Sequence, residues 1–362
     1  MAYTLSSLSE LLDLPFDEII DVRSPGEFAE DHVPGALNLP VLDDQERARV
    51  GRIYKQESAF LARKTGAVLV ARRAAENIEA HLMGRPGSYR PLVYCWRGGM
   101  RSGAFSTILR QIGWRAETLE GGYKTYRRLV VSLLHALPAK PAGFAGPVII
   151  LDGDTGTAKT ELLHYLARRG AQVLDLEHLA AHRGSLFGEL EVAQPAQKAF
   201  ESALALKAVS FDPARPVFVE AESSRIGRLT LPPVLWDKMC RSPRIRIVAD
   251  LQARSAYLAR TYGELAADPD WLGAAIERLR PYHPAERIAG WHALAGAGRH
   301  EALAREFAVH HYDPKYARSR ARDPRPELGT LRLCDFTQET LQGAAAAIMT
   351  LAERSDARAG SL

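Results

Sequence analysis

The sequence predicts an α/β protein of two domains, and three observations lead to this prediction. Short apolar runs typical of buried strands alternate with segments whose apolar residues repeat at helical spacing. Two of the runs, at 91–94 and 148–151, lead into loops rich in glycine and in cationic or hydroxyl side chains. Residues 138–147 are rich in Pro, Gly and Ala, which is typical of a linker. We therefore expect one domain at 1–137 and a second at 148–362.

The composition restricts the class of protein. Of the 362 residues, 46% are hydrophobic and 25% charged, as in soluble globular proteins. No apolar run reaches membrane-spanning length, and the N-terminus lacks the layout of a signal peptide. The three cysteines have no paired spacing, which argues against disulfides and a zinc site, and nothing indicates haem or flavin. We expect a cytoplasmic protein without membrane association, and the net charge of +4 permits a nucleic-acid partner.

Cys95 follows the apolar run 91–94 and opens a seven-residue loop that ends at Arg101. Beyond the loop, four apolar residues between 105 and 112 repeat at helical spacing. The loop therefore joins a strand to a helix N-terminus, where inward N–H groups and the helix dipole attract anions.

We predict that Cys95 is a catalytic nucleophile at the base of this anion-binding loop, since the thiolate is the reactive form of cysteine. The alternative is a buried structural cysteine. Lys124, after the predicted strand 116–119, either meets the same anion or is a solvated surface lysine. The predicted anion-binding residues are Arg97, Gly98, Gly99, Arg101 and Ser102.

A second loop follows the apolar run 148–151 and nearly matches the phosphate-binding P-loop, Gly-x-x-x-x-Gly-Lys-Thr. Ala158 replaces the second glycine, and an alanine at positive φ costs about 1–2 kcal/mol. The pattern favours phosphate binding over a purely structural turn, and Thr160 is suited to hold a metal such as Mg²⁺. The predicted phosphate-binding residues are Gly153, Thr155, Gly156, Lys159 and Thr160.

Further apolar runs at 173–174, 217–220, 245–248 and 331–334 predict a doubly wound parallel sheet around this loop. Glu220 or Glu222 stands where an acid organises magnesium through water, or else caps the strand end. Two polar, glycine-containing loops at 182–188 and 220–227 are expected near the phosphate site. Their candidate site residues are His182, Arg183, Glu220, Glu222, Ser223 and Arg225.

The first domain resembles the rhodanese family, whose members carry sulfane sulfur or selenium on cysteine. The resemblance rests on Asp-Val-Arg-Ser-Pro-x-Glu-Phe at 21–28, on His-x-Pro-Gly-Ala at 32–36, and on the cysteine loop. Common sulfurtransferase rhodaneses have a six-residue loop, whereas the seven-residue length and the Cys-x-x-Gly-x-x-Arg-Ser pattern match cysteine phosphatases. The longer loop suits a phosphate-like donor, although Tyr94 stands where phosphatases usually carry histidine.

Taken together, residues from about 21 to 316 resemble the tRNA 2-selenouridine synthases, in which a rhodanese-like domain precedes a degenerate P-loop NTPase-like domain. Further matching segments lie at 38–42, 51–56, 63–67, 194–197 and 312–314. The resemblance implies a selenotransferase that acts on wobble 2-thiouridine in the tRNA anticodon loop. It implies geranylation of the thio sulfur from geranyl diphosphate, then replacement of the geranylthio group by selenium from selenophosphate. The alternative is a cysteine-dependent phosphatase or sulfurtransferase fused to a kinase-like P-loop domain.

A tRNA partner requires a basic surface, and the second domain has two arginine-rich runs. The second run is interleaved with Tyr312 and Tyr316, which favours contact with splayed RNA bases over a merely solvated face. The first run contains Arg241, Arg244, Arg246, Arg254 and Arg260. The second contains Arg299, Arg305, Lys315, Arg318, Arg320, Arg322 and Arg325.

Overall fold

The computed structural model describes residues 2–135, 144, 146–182 and 193–359. These residues form two compact units, one drawn from 1–143 and 195–210 and the other from 144–194 and 211–362. The predicted linker lies almost wholly outside the described residues, as does Arg183. No helix among the described residues is both long and apolar enough to cross a membrane.

The first unit is built on a five-stranded parallel sheet of order β1-β5-β4-β2-β3. Its strands are β1 (Ala2–Tyr3), β2 (Glu18–Asp21), β3 (Leu37–Asn38), β4 (Pro91–Tyr94) and β5 (Glu117–Leu119). Its helices in this part of the chain are α1 (Pro25–Glu30), α2 (Asp44–Gln56), α3 (Ala59–Asn77), α4 (Met100–Ile112) and α5 (Gly122–His135). A 3₁₀ turn at Leu8–Leu12 and a π turn at Ile78–Leu82 complete the set.

The core of this unit explains the order of its elements. Ile20 on β2 and Val93 on β4 are fully buried, and Phe105 and Leu109 of α4 pack against them. The helix begins at Met100, with Gly99 at its N-cap. The segment after β4 is therefore shorter than the predicted seven-residue loop, because its last two residues already lie in the first helical turn.

The second unit contains another five-stranded parallel sheet, of order β12-β11-β6-β8-β7, and an antiparallel pair of β9 and β10. The strands are β6 (Val148–Gly153), β7 (Gln172–Leu174), β8 (Val217–Glu220), β9 (Arg225–Ile226), β10 (Leu229–Thr230), β11 (Arg244–Ala249) and β12 (Glu327–Leu333). The central strand β6, which carries the phosphate loop at its carboxyl end, is buried along its whole length.

Helices alternate with these strands, and a group of helices lies between β11 and β12. In chain order the helices are α6 (Lys159–Arg168), α7 (Leu176–Leu179), α8 (Gln197–Val209), α9 (Pro233–Arg241), α10 (Leu251–Thr261), α11 (Gly263–Ala266), α12 (Pro269–Glu277), α13 (Ala285–Gly296), α14 (His300–Phe307), α15 (Asp313–Arg320) and α16 (Gln338–Ala359). Short 3₁₀ and π turns occupy Arg280–Tyr282 and Ala308–Tyr312.

The predicted α/β class with two parallel sheets is confirmed, with two differences in detail. The last strand begins at Glu327, earlier than predicted, and ends before Cys334. Helix α8 belongs to the first unit, where Arg127 of α5 donates to the carbonyl of Lys198 at 3.1 Å. Neither feature has a periodic signal in the sequence, because strand ends and packing partners are set by tertiary contacts.

The turn at the start of α5 packs tightly on the segment that follows β4. The Tyr123 N–H donates to the Cys95 carbonyl at 2.9 Å, and the Lys124 N–H donates to the Trp96 carbonyl at 3.1 Å. Gly122 has a φ of +59°, and a Cβ there would lie 2.2 Å from the Cys95 oxygen and 2.5 Å from the Gly98 nitrogen. Only glycine allows the two backbones to approach this closely.

We expect Gly122→Ala to destabilise the first unit more than Gly35→Ala does. Gly35 also has positive φ, +81°, but a Cβ there meets nothing within 4 Å, so its cost is about the 1–2 kcal/mol of left-handed backbone. Thermal unfolding measures the difference, and alkylation of Cys95 should change in rate only in the Gly122 variant. Equal losses in melting temperature would contradict the close approach.

Candidate active sites at the carboxyl ends of the two sheets

Cys95 lies directly after β4, at the carboxyl edge of the first sheet, and is 4% exposed. Its Sγ accepts a hydrogen bond from the Gly99 N–H at 3.3 Å and from the Ser102 hydroxyl at 3.2 Å. Gly98 adopts a φ of +65°, which turns the loop so that it closes over the sulfur. Two donors aimed at one sulfur fix its position at the base of the loop.

The cationic residues predicted around Cys95 have different surroundings. Arg97 and Lys124 are exposed, whereas Arg101 in the first turn of α4 donates to Glu27 at 2.8 Å. Burial by itself would raise the pKa of Glu27, but the hydrogen bond and charge of Arg101 outweigh burial and lower it. The Arg101 guanidinium is therefore paired with Glu27.

A buried arginine near the cysteine loop was not among the predicted site residues. Arg23 is 1% exposed and binds Asp21 at 2.6 Å. Its guanidinium lies 4.0 Å from the ring centroid of Tyr123 and donates to the Asp31 carbonyl at 2.6 Å. The Tyr123 hydroxyl in turn donates to the Asp31 carboxylate at 2.7 Å. The sequence signals for Arg23 are the charged end of the β2 run and its place in the Asp-Val-Arg-Ser-Pro motif.

The second site lies at the carboxyl end of β6. Ala158 adopts a φ of +55° at the N-cap of α6, so the loop keeps the left-handed conformation of a P-loop despite the missing glycine. Lys159 donates to the carbonyls of Gly153 at 2.9 Å and Asp154 at 3.3 Å. These contacts hold the ammonium group inside the loop where a phosphate would bind.

Three carboxylates gather opposite the lysine. The Thr160 hydroxyl donates to Glu220 at 2.9 Å and to Glu177 at 3.3 Å. Ligand oxygens of Glu177, Glu220 and Glu222 all lie within 4.8 Å of one another. An all-oxygen set of this kind suits a hard divalent cation such as Mg²⁺. Sequence analysis missed Glu177, although its place just after strand β7 was a usable signal.

Burial makes ionisation of these acids costly. Desolvation raises the pKa of Glu177 and Glu220 to about 8 and that of Glu222 to about 7, and mutual repulsion adds to the effect. Desolvation lowers the pKa of Lys159, but the nearby Tyr316 and the glutamates reverse this and leave it raised. The lysine therefore stays charged, while the acids without a metal keep most of their protons at neutral pH, because three ionised carboxylates would carry more negative charge than one lysine can neutralise.

An apolar cavity adjoins the phosphate cleft. It has an empty volume of about 630 Å³, which includes space open to solvent. The cavity and the cleft share Thr155, Leu258, Tyr262 and Tyr312. The rest of the cavity lining is Ala259, Ala266, Trp271, Leu272, His300, Leu303, Ala304 and Phe307. A ligand with an anionic head and an apolar tail would be accommodated across the two.

Only some residues of the two loops that were predicted near the phosphate site line the cleft. Glu220 and Glu222 line the cleft, whereas Ser223 bonds within its own turn to Arg225, whose side chain is exposed in β9. His182 is buried after α7.

The arginine-rich runs also divide into buried and exposed members. Arg254 is 5% exposed and binds Asp313 at 2.7 Å and the Thr155 carbonyl at 3.0 Å. Arg244 binds Asp323 at 2.7 Å. These two members of the first run are engaged in ion pairs within the second unit. Arg320 also forms an ion pair, with Asp154 of the phosphate loop at 2.6 Å. Arg299, Arg305, Arg318 and Arg322 are exposed.

The fold and the two sites define a protein that joins a rhodanese-like domain to a P-loop-type domain. A family model described as "Rhodanese-like domain" matches residues 4–129, and one described as "tRNA 2-selenouridine synthase AAA domain" matches residues 146–269. The chain belongs to the tRNA 2-selenouridine synthase family.

Relatives with that name support the assignment. The chain is 34% identical to the protein of Chromohalobacter salexigens over 84% of this chain and 88% of the relative. It is 36% identical to the protein of Nitrosomonas europaea and 38% identical to that of Alcanivorax borkumensis, each over 65% of this chain. These two matches span slightly less than two thirds of the relatives, 61% and 64%.

We expect the second unit to lose stability as pH rises from about 5 to 8 in metal-free buffer. The folded state holds protons on the three acids up to about pH 7–8, whereas the unfolded chain releases them near pH 4.5. Each retained proton lowers the unfolding free energy by up to about 1.4 kcal/mol per pH unit in this window. Thermal unfolding of the wild type and of Glu177→Gln across this range measures the slope.

Glu177→Gln should flatten the pH dependence, because it removes one of the three coupled acids. Glu301→Gln, a matched change at an exposed position of the same unit, should leave the wild-type slope. A slope that is identical in all three proteins would show that the cluster does not hold protons at neutral pH.

Proposed function

We propose that this protein converts 2-thiouridine at the wobble position of tRNA to 2-selenouridine in the cytoplasm. Family membership supports the reaction class, since relatives over most of the chain are named tRNA 2-selenouridine synthase. The two sites supply what such a reaction requires: a nucleophilic cysteine in an anion loop, and a phosphate loop next to an apolar cavity.

The single observation that carries the geranyl step is the junction of the phosphate cleft with the apolar cavity at Tyr262 and Tyr312. Geranyl diphosphate has an apolar C10 chain on a diphosphate head, and the two compartments match these two parts. Lys159 and the loop N–H groups would bind the diphosphate. Glu177, Glu220 and Thr160 would hold Mg²⁺, which supplies charge neutralisation of the leaving diphosphate.

In the first step, the thio sulfur of the uridine attacks C1 of the geranyl chain. The C–O bond to diphosphate breaks, the electron pair leaves with the diphosphate, and the base releases its N3 proton to solvent. Lys159 favours this step because its charge lies where negative charge accumulates. The apolar cavity excludes water and so limits hydrolysis of the donor.

In the second step, selenium from selenophosphate replaces the geranylthio group. Selenium forms a bond to C2 of the base, geranylthiol leaves, and water takes the phosphoryl group as phosphate. The loop around Cys95 would bind the selenophosphate oxygens through its N–H groups, Arg97 and Arg101. Cys95 would assist displacement at C2, since a perselenide on its sulfur would require a two-electron oxidant in addition to selenophosphate. Its two hydrogen-bond donors, from Gly99 and Ser102, would hold the sulfur in place for this role.

We expect Cys95→Ala and Lys159→Ala to block different steps. With 2-thiouridine-containing tRNA, geranyl diphosphate and selenophosphate, Cys95→Ala should accumulate the geranylthio nucleoside, while Lys159→Ala should leave 2-thiouridine largely unchanged. Mass spectrometry of the digested nucleosides measures all three species. Lys198→Ala, at an exposed lysine outside both sites, should behave as the wild type.

An unchanged nucleoside in the wild-type reaction, with intact and thiolated tRNA, would contradict the proposal. Strong hydrolysis of an aryl phosphate that depends on Cys95 would then favour the phosphatase alternative, to which the Cys-x-x-Gly-x-x-Arg-Ser pattern points.

We expect Ala304→Phe to raise the KM for geranyl diphosphate at least tenfold, because the added ring fills the cavity that would take the chain. Binding of inorganic diphosphate should be unchanged, since the cleft itself is not altered. Ala302→Phe, on the same helix α14 but outside the cavity lining, is the matched control. Equal KM values for the two variants would place the geranyl chain elsewhere.

A further inference from the structure

Helices α2 and α3 form a helical hairpin, residues 44–77, that is almost unburied. No residue of α2 is buried, and only Ala62, Val70 and Ala74 are buried in α3. Near the turn the exposure is greatest: apart from the half-buried Ile53, every residue from 51 to 61 is exposed. The hairpin contributes little to the core, so its exposed surface is a candidate for binding a partner.

The hairpin concentrates positive charge. It contains eight basic and four acidic side chains, an excess that equals the formal net charge of the entire chain, +4. Arg73 is neutralised by Asp43 at 2.8 Å and Glu46 at 3.3 Å. Among the described residues, no carboxylate lies within ion-pair distance of the exposed group Arg49, Arg52, Lys55, Arg63 and Lys64.

Two aromatic side chains stand among these cations. Tyr54 is 63% exposed and Phe60 is 62% exposed, and both lie near the turn. The Lys64 ammonium lies 5.0 Å from the Phe60 ring centroid, and the Arg63 guanidinium lies 5.9 Å from it. Exposed aromatic rings interleaved with cations are the side chains on which splayed RNA bases stack.

The base of the hairpin is attached to the cysteine loop. Asp44 accepts a hydrogen bond from the Gly26 N–H at 3.0 Å. Glu27 lies between the hairpin and the loop, 3.7 Å from Arg47 and 2.8 Å from Arg101. The 13-residue helix α2 then extends the charged surface about 20 Å away from this point, at 1.5 Å per residue.

We propose that the α2–α3 hairpin is an RNA-binding surface that holds the tRNA with its target nucleotide at the Cys95 loop. The inference rests on the proposed function for the identity of the RNA. A protein partner is disfavoured because protein interfaces are depleted in lysine and in charge at their centres, whereas here cations surround the exposed rings. Phosphates would bind the free cations, and one or two bases would stack on Tyr54 and Phe60.

Binding of fluorescently labelled 2-thiouridine tRNA to the full chain, measured by anisotropy over a series of KCl concentrations, tests the proposal. Arg52→Glu and Arg63→Glu should each weaken binding at least fivefold at low salt and reduce the salt slope by about one. Phe60→Ala should weaken binding about tenfold with an unchanged slope, because stacking does not release counterions. Thermal unfolding of each variant shows that the first unit remains folded.

Arg115→Glu is the matched control, because Arg115 is exposed and precedes β5, at the amino edge of the sheet opposite Cys95. It carries the same charge change and should bind tRNA nearly as the wild type does. Hairpin variants that bind no more weakly than Arg115→Glu would overturn the proposal. So would a wild-type dimer, seen by sedimentation, that Phe60→Ala converts to monomer without loss of tRNA affinity.

The outcomes separate this inference from the proposed function. If the wild type modifies tRNA but the hairpin variants keep its KM for tRNA, the inference fails and the function stands. If the hairpin variants lose affinity while the wild type modifies no nucleoside, the surface is confirmed and the reaction is not.

Discussion

Both sites depend on charge that the parallel sheets bury at the carboxyl ends of their strands. In the first unit the buried charge is balanced: Arg23 binds Asp21, and Arg101 binds Glu27. In the second unit it is not, because Glu177, Glu220 and Glu222 face the single ammonium of Lys159. Buried charges are stable only when they are paired, protonated or bound to a metal. An anion at the first site would therefore meet loop N–H groups and the exposed Arg97 rather than an unpaired buried cation, whereas the second site is suited to a cation together with a phosphate.

This difference agrees with two donors of different chemistry. A compact tetrahedral anion needs a closed loop of N–H groups, and the segment from Cys95 to Ser102 closes on the sulfur with two donors. An amphiphilic donor needs an apolar compartment beside the charged one, and the cavity next to Thr155 provides it. The alanine at position 158 does not prevent the phosphate loop from forming, since the backbone there still adopts positive φ. Its strain is borne by the packing of α6 against the sheet, in which Ala158 itself is buried.

Much of the architecture could be predicted because it follows from local sequence patterns. The strands at 91–94 and 148–153 have continuous apolar runs, and glycine-rich loops follow them directly. Other features have no such pattern. Arg244 and Arg254 look in the sequence like members of a basic surface, yet both form ion pairs with acids about 60 to 80 residues distant in sequence. Glu177 joins the site only because β7 lies next to β8 in the sheet. The lining of the apolar cavity cannot be told from any other core by its residue types.

The sequence by itself determined the fold class, the two glycine-containing loops after strands β4 and β6, and the family, because these depend on residue type and on spacing over a few positions. The tertiary structure decided which charges face solvent, which acids meet, and where an apolar space opens beside the phosphate loop. It also showed that the hairpin between residues 44 and 77, whose spacing is that of ordinary helices, leaves its cations and rings exposed. Burial and ion pairing are properties of contacts between distant segments, and local sequence patterns do not specify them.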